Sequence, residues 1–296
     1  MKRFIGVLLA AALPVLLSGC MGGAMVKKDQ IAGTGRIAVV SVVMPRIADT
    51  EKDSNRSALQ DLADRALVRV QAELKTVRNW TVVDPANYKG MQAVMSFGAV
   101  TDEELAALFP QNGDRKAAKG EINREVSNWK GSYIGAKALP VVPRSALVAE
   151  KDEKGALAAV PQLMQKHAAK LCTTLNVDAV AFVQVLASVT HPRPKMFIVS
   201  GNRTDGTVQM AQTMVILDRT GGIIADLGRP SLDRKARSRD MLPLYVGSGQ
   251  DAVKRENIDL ADPKNKIAQA FFSLIDETSA DMVRELKKAA GNQVKQ

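Results

Sequence analysis

Arg36-Ile37-Ala38-Val39-Val40-Ser41-Val42-Val43 decides the fold. Short, β-branched and almost continuously apolar, it has the composition of a strand buried on both faces, which needs no polar side for water. On its C-terminal side Met44 to Asn55 is polar with a proline and reads as a loop, with Ser54 or Asn55 as a helix cap. Leu59, Leu62, Ala63, Ala66, Leu67, Val70 and Leu74 then recur at three- and four-residue intervals, the stripe of an amphipathic helix. Trp80-Thr81-Val82-Val83-Asp84 follows as a second strand, stopped by Pro85. Strand, helix and strand with short joins predict a βαβ unit whose strands lie parallel in one sheet.

Further along, residues 86–155 carry short helical patterns at Tyr88–Ser96, Thr101–Phe109 and Glu121–Trp129, broken by Pro110, Gly113 and Gly120. Val141-Val142, between Pro140 and Pro143, reads as an edge strand or an extended linker. The whole stretch is predicted to be a helical insertion. Leu157, Val160, Met164, Ala168, Leu171 and Leu175 mark a second amphipathic helix, and Ala179–Leu186 another buried strand. Two alternating runs, Val208–Leu217 and Ile223–Leu227, are joined by Asp218-Arg219-Thr220-Gly221-Gly222, a hairpin signal because glycine supplies positive φ at the turn. Gly228 to Asp240 reads as a basic loop. A last helix puts Ile267, Phe271, Leu274, Ile275, Thr278, Met282 and Leu286 on one face. The predicted fold class is α/β: a mixed sheet of about five strands that starts with a βαβ unit, flanked by amphipathic helices, with a helical insertion in the middle.

Working back from Arg36, Met21–Thr34 shows no periodicity and reads as a tether. Before it, Lys2 and Arg3 lead into an uncharged run from Phe4 to Leu17, then small residues and a cysteine: Leu17-Ser18-Gly19-Cys20. A charged start, a short apolar run and a small-residue cleavage site describe a secretory signal. The run is shorter than the ~20 apolar residues of a spanning helix. The tetrad resembles the bacterial lipobox at each position. That resemblance implies that the Cys20 thiol is alkylated by a diacylglyceryl group, that the chain is cut before it, and that the new amine is acylated. Several acyl chains hold a protein stably where one holds it only marginally. Met21 in place of Asp implies, by the same resemblance, sorting to the outer membrane. The expected organisation is a signal peptide at 1–19, anchor and tether at 20–34, and one periplasmic domain at 35–290 with its insertion at about 86–155.

Composition narrows the partners. The formal charge is +10 and falls to +8 once Lys2 and Arg3 leave with the signal. An exported basic chain rarely meets nucleic acid, so anionic head groups, acidic wall polymers or an acidic protein are the expected opposites. Aromatics make up only 4%, too few for carbohydrate or single-stranded nucleic-acid stacking platforms. The second of the two cysteines is Cys172, so a lipidated Cys20 leaves no intramolecular disulfide. Cys172, between Leu171 and Leu175 on a helix pattern, reads as a buried thiol.

Four segments together resemble a known group: Arg36-Ile37-Ala38-Val39-Val40, Asn79-Trp80-Thr81-Val82-Val83-Asp84, Leu175-Asn176-Val177-Asp178-Ala179-Val180-Ala181-Phe182-Val183 and the hairpin from Val215 to Ile224. Their order is similar to the periplasmic lipoproteins related to the curli-secretion channel subunit, the penicillin-binding-protein activators and the N-terminal domain of the Tol translocation protein. The resemblance covers about half the mature chain. It implies a small α/β domain that binds envelope proteins or associates with itself, without catalysis.

A direct search for chemistry agrees with that implication. His167 lies at the edge of a helix stripe and reads as a satisfied core histidine; His191 sits in a Pro-rich turn without metal-ligand spacing. Gly33-Thr34-Gly35 precedes a strand instead of following one, the wrong context for a phosphate loop. There is no Gly-x-Ser-x-Gly elbow, and Ser200 and Ser248 are isolated loop serines. No cofactor or metal is expected. The surface feature singled out is Arg229, Arg234, Lys235, Arg237 and Arg239, a local positive excess suited to an acidic partner or a membrane surface, set against the default of a solvated loop. The leading expectation is an outer-membrane lipoprotein that binds partner proteins in envelope assembly or maintenance. A subunit of an oligomeric secretion apparatus stands second and a hydrolase third.

Overall fold

The computed structural model describes residues 25–46, 53–84, 91–110, 112–149, 153–190, 207–228, 237–240, 264 and 266–291. Its centre is β2 (Arg36–Pro45), in which every residue from Ile37 through Met44 is buried. The expected two-face burial is therefore met. The strand runs two residues further than the sequence suggested, because Met44 and Pro45 pair with a later segment.

β2 leads through α2 (Asp53–Leu74) to β3 (Thr81–Val83), which lies parallel to β2 in the register Arg36–Thr81. The βαβ unit is thus present. On the other side of β2 runs β5 (Ala179–Thr190), also parallel, reached from α6 (Val160–Leu175). Crossovers between parallel strands are right-handed, so moving to opposite sides of β2 puts α2 and α6 on opposite faces. β5 then pairs antiparallel with β6 (Thr207–Asp218) over twelve registered positions, and β6 with β7 (Ile223–Leu227). The hairpin between them has a visible cause. Asp218 Oδ1 accepts from the N–H groups of Thr220 and Gly222, at 2.9 and 3.0 Å. Gly221 takes φ +81°, and a Cβ there would lie 2.5 Å from the Gln165 carbonyl of α6.

Among the described residues the sheet has eight strands, the path being β1-β7-β6-β5-β2-β3 with β4 on β2 and β8 on β6. Three strands beyond the expected five are short. β1 (Met25–Val26) pairs with β7, β4 (Tyr133–Gly135) with the far end of β2, and β8 (Arg237–Asp240) with the first half of β6. Segments of two to four residues carry too little alternation to be seen in sequence.

Two expectations need correction. The tether does not extend to Thr34: β1 joins the sheet, and α1 (Lys28–Gly33) follows with Ile31 fully buried. Trp80 Nε1–H donates to the Ile31 carbonyl at 3.3 Å, which fixes this turn beneath the start of β3. A single apolar anchor has no periodicity, which is why the segment read as tether. In the middle region, α3 (Met91–Met95) and α4 (Asp102–Leu108) match two expected helices, but Gly113 and Gly120 do not break the third. α5 runs unbroken from Asn112 to Ser132. A Cβ at any of its three glycines would meet nothing within 4 Å, so none marks a close approach. Nor does this region stand apart, since it supplies β4 to the sheet. Val141 and Val142 form an extended linker whose backbone satisfies the buried hydroxyl of Ser41: Oγ donates to the Pro140 carbonyl at 2.9 Å and accepts from the Val142 N–H at 3.3 Å.

The C-terminal helix α7 (Lys266–Ala289) buries Phe271, Leu274, Ile275, Thr278, Met282 and Leu286 as its stripe predicts. It lies beside α2, with Lys287 Nζ 2.9 Å from Glu73 and Arg65 3.1 Å from Asp276. The layers are therefore α2 and α7 with α1, then the sheet, then α6 with the middle helices.

Candidate functional site

Cys20 lies outside the described residues, as do Arg229, Arg234 and Lys235, and so do His191, Ser200 and Ser248. Arg237 and Arg239 do not sit in a loop; their backbone forms β8, opposite Met210 and Val208 of β6. The structure thus spreads the basic stretch between a sheet strand and a segment outside the description.

Two concave sites on the described surface are built by the middle region. The larger, about 650 Å³, lies at the C-terminal end of β2 between β4 and α2. Arg46, Gln60, Lys130, Tyr133 and Lys137 line it. Gln60 Nε2 donates to the Gly135 carbonyl at 2.5 Å, and the Lys137 N–H donates to Asp64 at 2.7 Å, so α2 holds the turn after β4 from below. Lys137 Nζ lies 3.6 Å from Asp64 and 4.0 Å from Asp61 while remaining 72% exposed, a solvent-screened contact of small energetic weight.

The smaller site, about 270 Å³, lies between α3, the start of α4 and α6, and is lined by Phe97, Thr101, Glu104, His167, Lys170 and Leu171 among others. Glu104 is its centre. Thr101 caps α4: its side chain accepts from the Glu104 N–H, while the Glu104 carboxylate accepts from the Thr101 N–H at 3.0 Å, a reciprocal capping box. The same carboxylate, 14% exposed, takes Lys170 Nζ at 2.6 Å and lies 3.1 Å from His167 Nε2 through both oxygens. An ionised carboxylate only accepts, so Nε2 carries the proton in this arrangement. Phe97 meets the imidazole edge-on at 5.9 Å.

Burial acts to raise the Glu104 pKa. The hydrogen bonds from Lys170, the Thr101 backbone and His167, with the charge on His167, outweigh it and hold the carboxyl at about 2. An acid so fully engaged is a structural tie and is poorly suited to abstract a proton near neutral pH. His167 is accordingly the satisfied histidine its position in the stripe suggested. Cys172 is buried with its thiol 4.0 Å from the Leu217 carbonyl. Burial pushes that thiol up to about 12, with the charges of Asp218 and Asp178 adding to the effect and Arg219 opposing it. It holds essentially no thiolate at neutral pH.

Glu104 was missed in sequence, although Thr101-x-x-Glu104 is a readable capping signature. Arg144, paired in bidentate fashion with Asp226 of β7 across 82 residues, had no signal at all. Among the described residues no three or more His, Cys, Asp or Glu side chains gather as a metal would require. No described helix is long and apolar enough to cross a membrane.

Fold and sites together define the class of molecule: a three-layer α/β domain with a mixed sheet, whose described surface offers one basic groove held by hydrogen bonds from α2 and one small site centred on the Glu104 carboxylate. No family model and no curated protein matches this chain. Among solved structures it is similar to the hypothetical protein CT253 from Chlamydia trachomatis, at 10% identity over 85% of this chain and 99% of that one. The TM-score of 0.30 is too low for that likeness to inform fold or function.

Proposed function

We propose that this chain is an outer-membrane lipoprotein, anchored at Cys20, whose periplasmic α/β domain binds partner proteins in cell-envelope assembly or maintenance. The observation that carries the reading is Leu17-Ser18-Gly19-Cys20 after the charged start and apolar run, followed by a domain that is already ordered at Met25. The similarity of four segments to the curli-subunit, penicillin-binding-protein-activator and Tol N-terminal group supports the binding role. So does the engaged state of Glu104 and Cys172, which leaves neither as a reactive group. The alternative, a subunit of an oligomeric secretion apparatus, would need alternating segments free to pair into a barrel; Val208–Leu217, the run nearest to that pattern, lies in β6 and pairs with β5 on one edge and with β7 and β8 on the other.

The test has two arms in living cells. Metabolic labelling with a palmitate analogue should mark the native protein and leave the Cys20→Ala variant unmarked; equal labelling of both would end the lipoprotein reading. Crosslinking in intact cells with mass spectrometry of the captured proteins should recover envelope partners. Replacing Arg229, Arg234, Lys235, Arg237 and Arg239 by Ser should lower that recovery if this basic stretch is the contact. Undiminished capture would move the contact elsewhere, the groove at Arg46, Lys130 and Lys137 being next in line.

A further inference from the structure

Cys20 and Met25 are five residues apart, and a chain spans at most about 3.5 Å per residue, so no more than about 17 Å separates the anchor from the sheet. Where the chain enters matters as much as how far it reaches. β1 runs antiparallel to β7, from Met25 opposite Asp226 to Val26 opposite Ala225, and the Lys27 N–H donates to the Ile224 carbonyl at 2.9 Å. It runs toward the end of the sheet where β2, β3 and β5 begin, and Met25, opposite Asp226, stands three residues or about 10 Å short of that end, inside the reach of the anchor. α1 closes that end, its Ile31 carbonyl accepting from Trp80, and the Thr81 N–H donates to Gly35.

That end of the domain is basic. Lys27, Lys28, Arg36 and Lys75 are all exposed there, and none has an acidic partner among the described residues; Arg78, in the turn between α2 and β3, is exposed as well. The nearby acids are mostly spoken for. Asp178 accepts from the Gly35 and Arg36 N–H groups and pairs with Arg219 at 3.0 Å; Glu73 pairs with Arg69 and Lys287, both at 2.9 Å. Asp218, at the same end opposite Ala179, accepts from the Thr220 and Gly222 N–H groups, and Asp29 is exposed.

We propose that this end, carrying Lys27, Lys28, Arg36 and Lys75, lies against an anionic lipid surface and orients the domain on the membrane. The inference rests on the reading of Cys20 as the anchor and adds a second, electrostatic contact to it. A lipid tether and a basic patch reinforce one another, and each cation near an anionic surface strengthens binding about fivefold. The groove at Lys130 and Lys137 then faces away: β2 is ten residues long, so about 30 Å separates its two ends.

The experiment uses the full-length protein reconstituted into vesicles of phosphatidylcholine, with or without phosphatidylglycerol, carrying a quencher-labelled lipid. A fluorophore is placed on an introduced cysteine at exposed Thr76 or at exposed Lys137, Cys172 being buried and unreactive. In phosphatidylglycerol vesicles the Thr76→Cys label should be quenched at least fivefold more than the Lys137→Cys label. That ratio should fall toward one in neutral vesicles and in the variant with Lys27, Lys28, Arg36 and Lys75 all changed to Ser, whose urea midpoint reports that it still folds. Equal quenching at the two sites, or a ratio indifferent to both changes, overturns the proposal. Mass measurement of the same sample reports acylation of Cys20. An unacylated protein that still sediments with phosphatidylglycerol vesicles through these cations would overturn the anchor and leave the basic-end contact standing.

Discussion

On one face of the sheet, α2 and α7 supply two long helices whose apolar stripes meet β2 and β6 directly, with a seam of surface ion pairs at Arg65–Asp276 and Glu73–Lys287. On the other, α6 covers only part of the sheet, and segments from 91 to 159 cover the remainder as one long helix, α5, with two short helices, single turns and an extended linker. The first face is closed by contiguous hydrophobic pattern. The second is stitched with polar ties: Glu104 to His167 and Lys170, Arg144 to Asp226, Gln165 Nε2 to the Leu147 carbonyl at 2.8 Å, and Ser41 to the linker. Short segments bury too little apolar area to hold themselves in place, so directional contacts do more of the holding there. The two faces should fail differently when disturbed.

The largest effect belongs to the apolar face. Phe271 is fully buried between α7 and the sheet, and Phe271→Ala should cost about 3–5 kcal/mol, read as a lower urea midpoint with a single global transition. A local opening confined to α7, with the remaining sheet still protected, would contradict the view that this face is one unit with the core.

On the stitched face the next effect is Glu104→Gln. The carboxyl is depressed from 4.5 to about 2, which at ~1.4 kcal/mol per unit is on the order of 3 kcal/mol. Because the folded pKa is the lower one, this stabilisation is present above about pH 4.5 and is lost as the pH falls toward 2. The native protein should therefore lose stability across that window, and Glu104→Gln should flatten this part of the profile. Hydrogen exchange should quicken over residues 91–109 before the sheet; unchanged protection there would show that the tie carries little.

Arg144 comes next. Its guanidinium and Asp226 are 18% and 19% exposed, so removing one partner strands a partly buried charge. Arg144→Met should cost about 2 kcal/mol, less than a fully buried pair, and adding Asp226→Asn should recover part of the loss. Additive losses in that double-mutant cycle would show that the pair is not coupled.

The same division explains what could be read from sequence. β2, α2, β5, the Asp218–Gly222 hairpin and α7 announce themselves through local periodicity or turn chemistry and are all present, although β2 and β5 run two and four residues further and α2 starts at Asp53, before the expected cap at Ser54 or Asn55. The tether boundary failed because Ile31 anchors α1 alone. α5 was fragmented because Gly113 and Gly120 were given the weight of breakers, whereas an exposed helical glycine costs only about 1 kcal/mol. β4 and the ties at Glu104 and Arg144 join residues 63 or more positions apart, and no local pattern encodes such a meeting; β8 is too short to show alternation. Of the site residues, Cys20 and most of the basic stretch fall outside the description, so their reading still stands on sequence.

The smallest effect tests the comparison from the opposite direction, with a polar group on the apolar face. Gln212 of β6 is buried, and its Nε2 lies 3.1 Å from the Ile275 carbonyl, 2.8 Å from Thr278 Oγ1 and 2.9 Å from Ser279 Oγ. Two N–H bonds serve three oxygens, and among the described residues its Oε1 has no donor. The oxygens it serves do not all depend on it, since Thr278 Oγ1 itself donates to the Leu274 carbonyl at 2.6 Å. Deleting a hydrogen bond costs about 1 kcal/mol, but deleting an unsatisfied buried acceptor returns a comparable amount. Gln212→Leu should therefore change stability by less than about 1 kcal/mol, although it empties the most polar contact of α7 with the sheet. A loss as large as that of Glu104→Gln would mean that α7, too, is held by its polar contacts, and the distinction between the faces would fall.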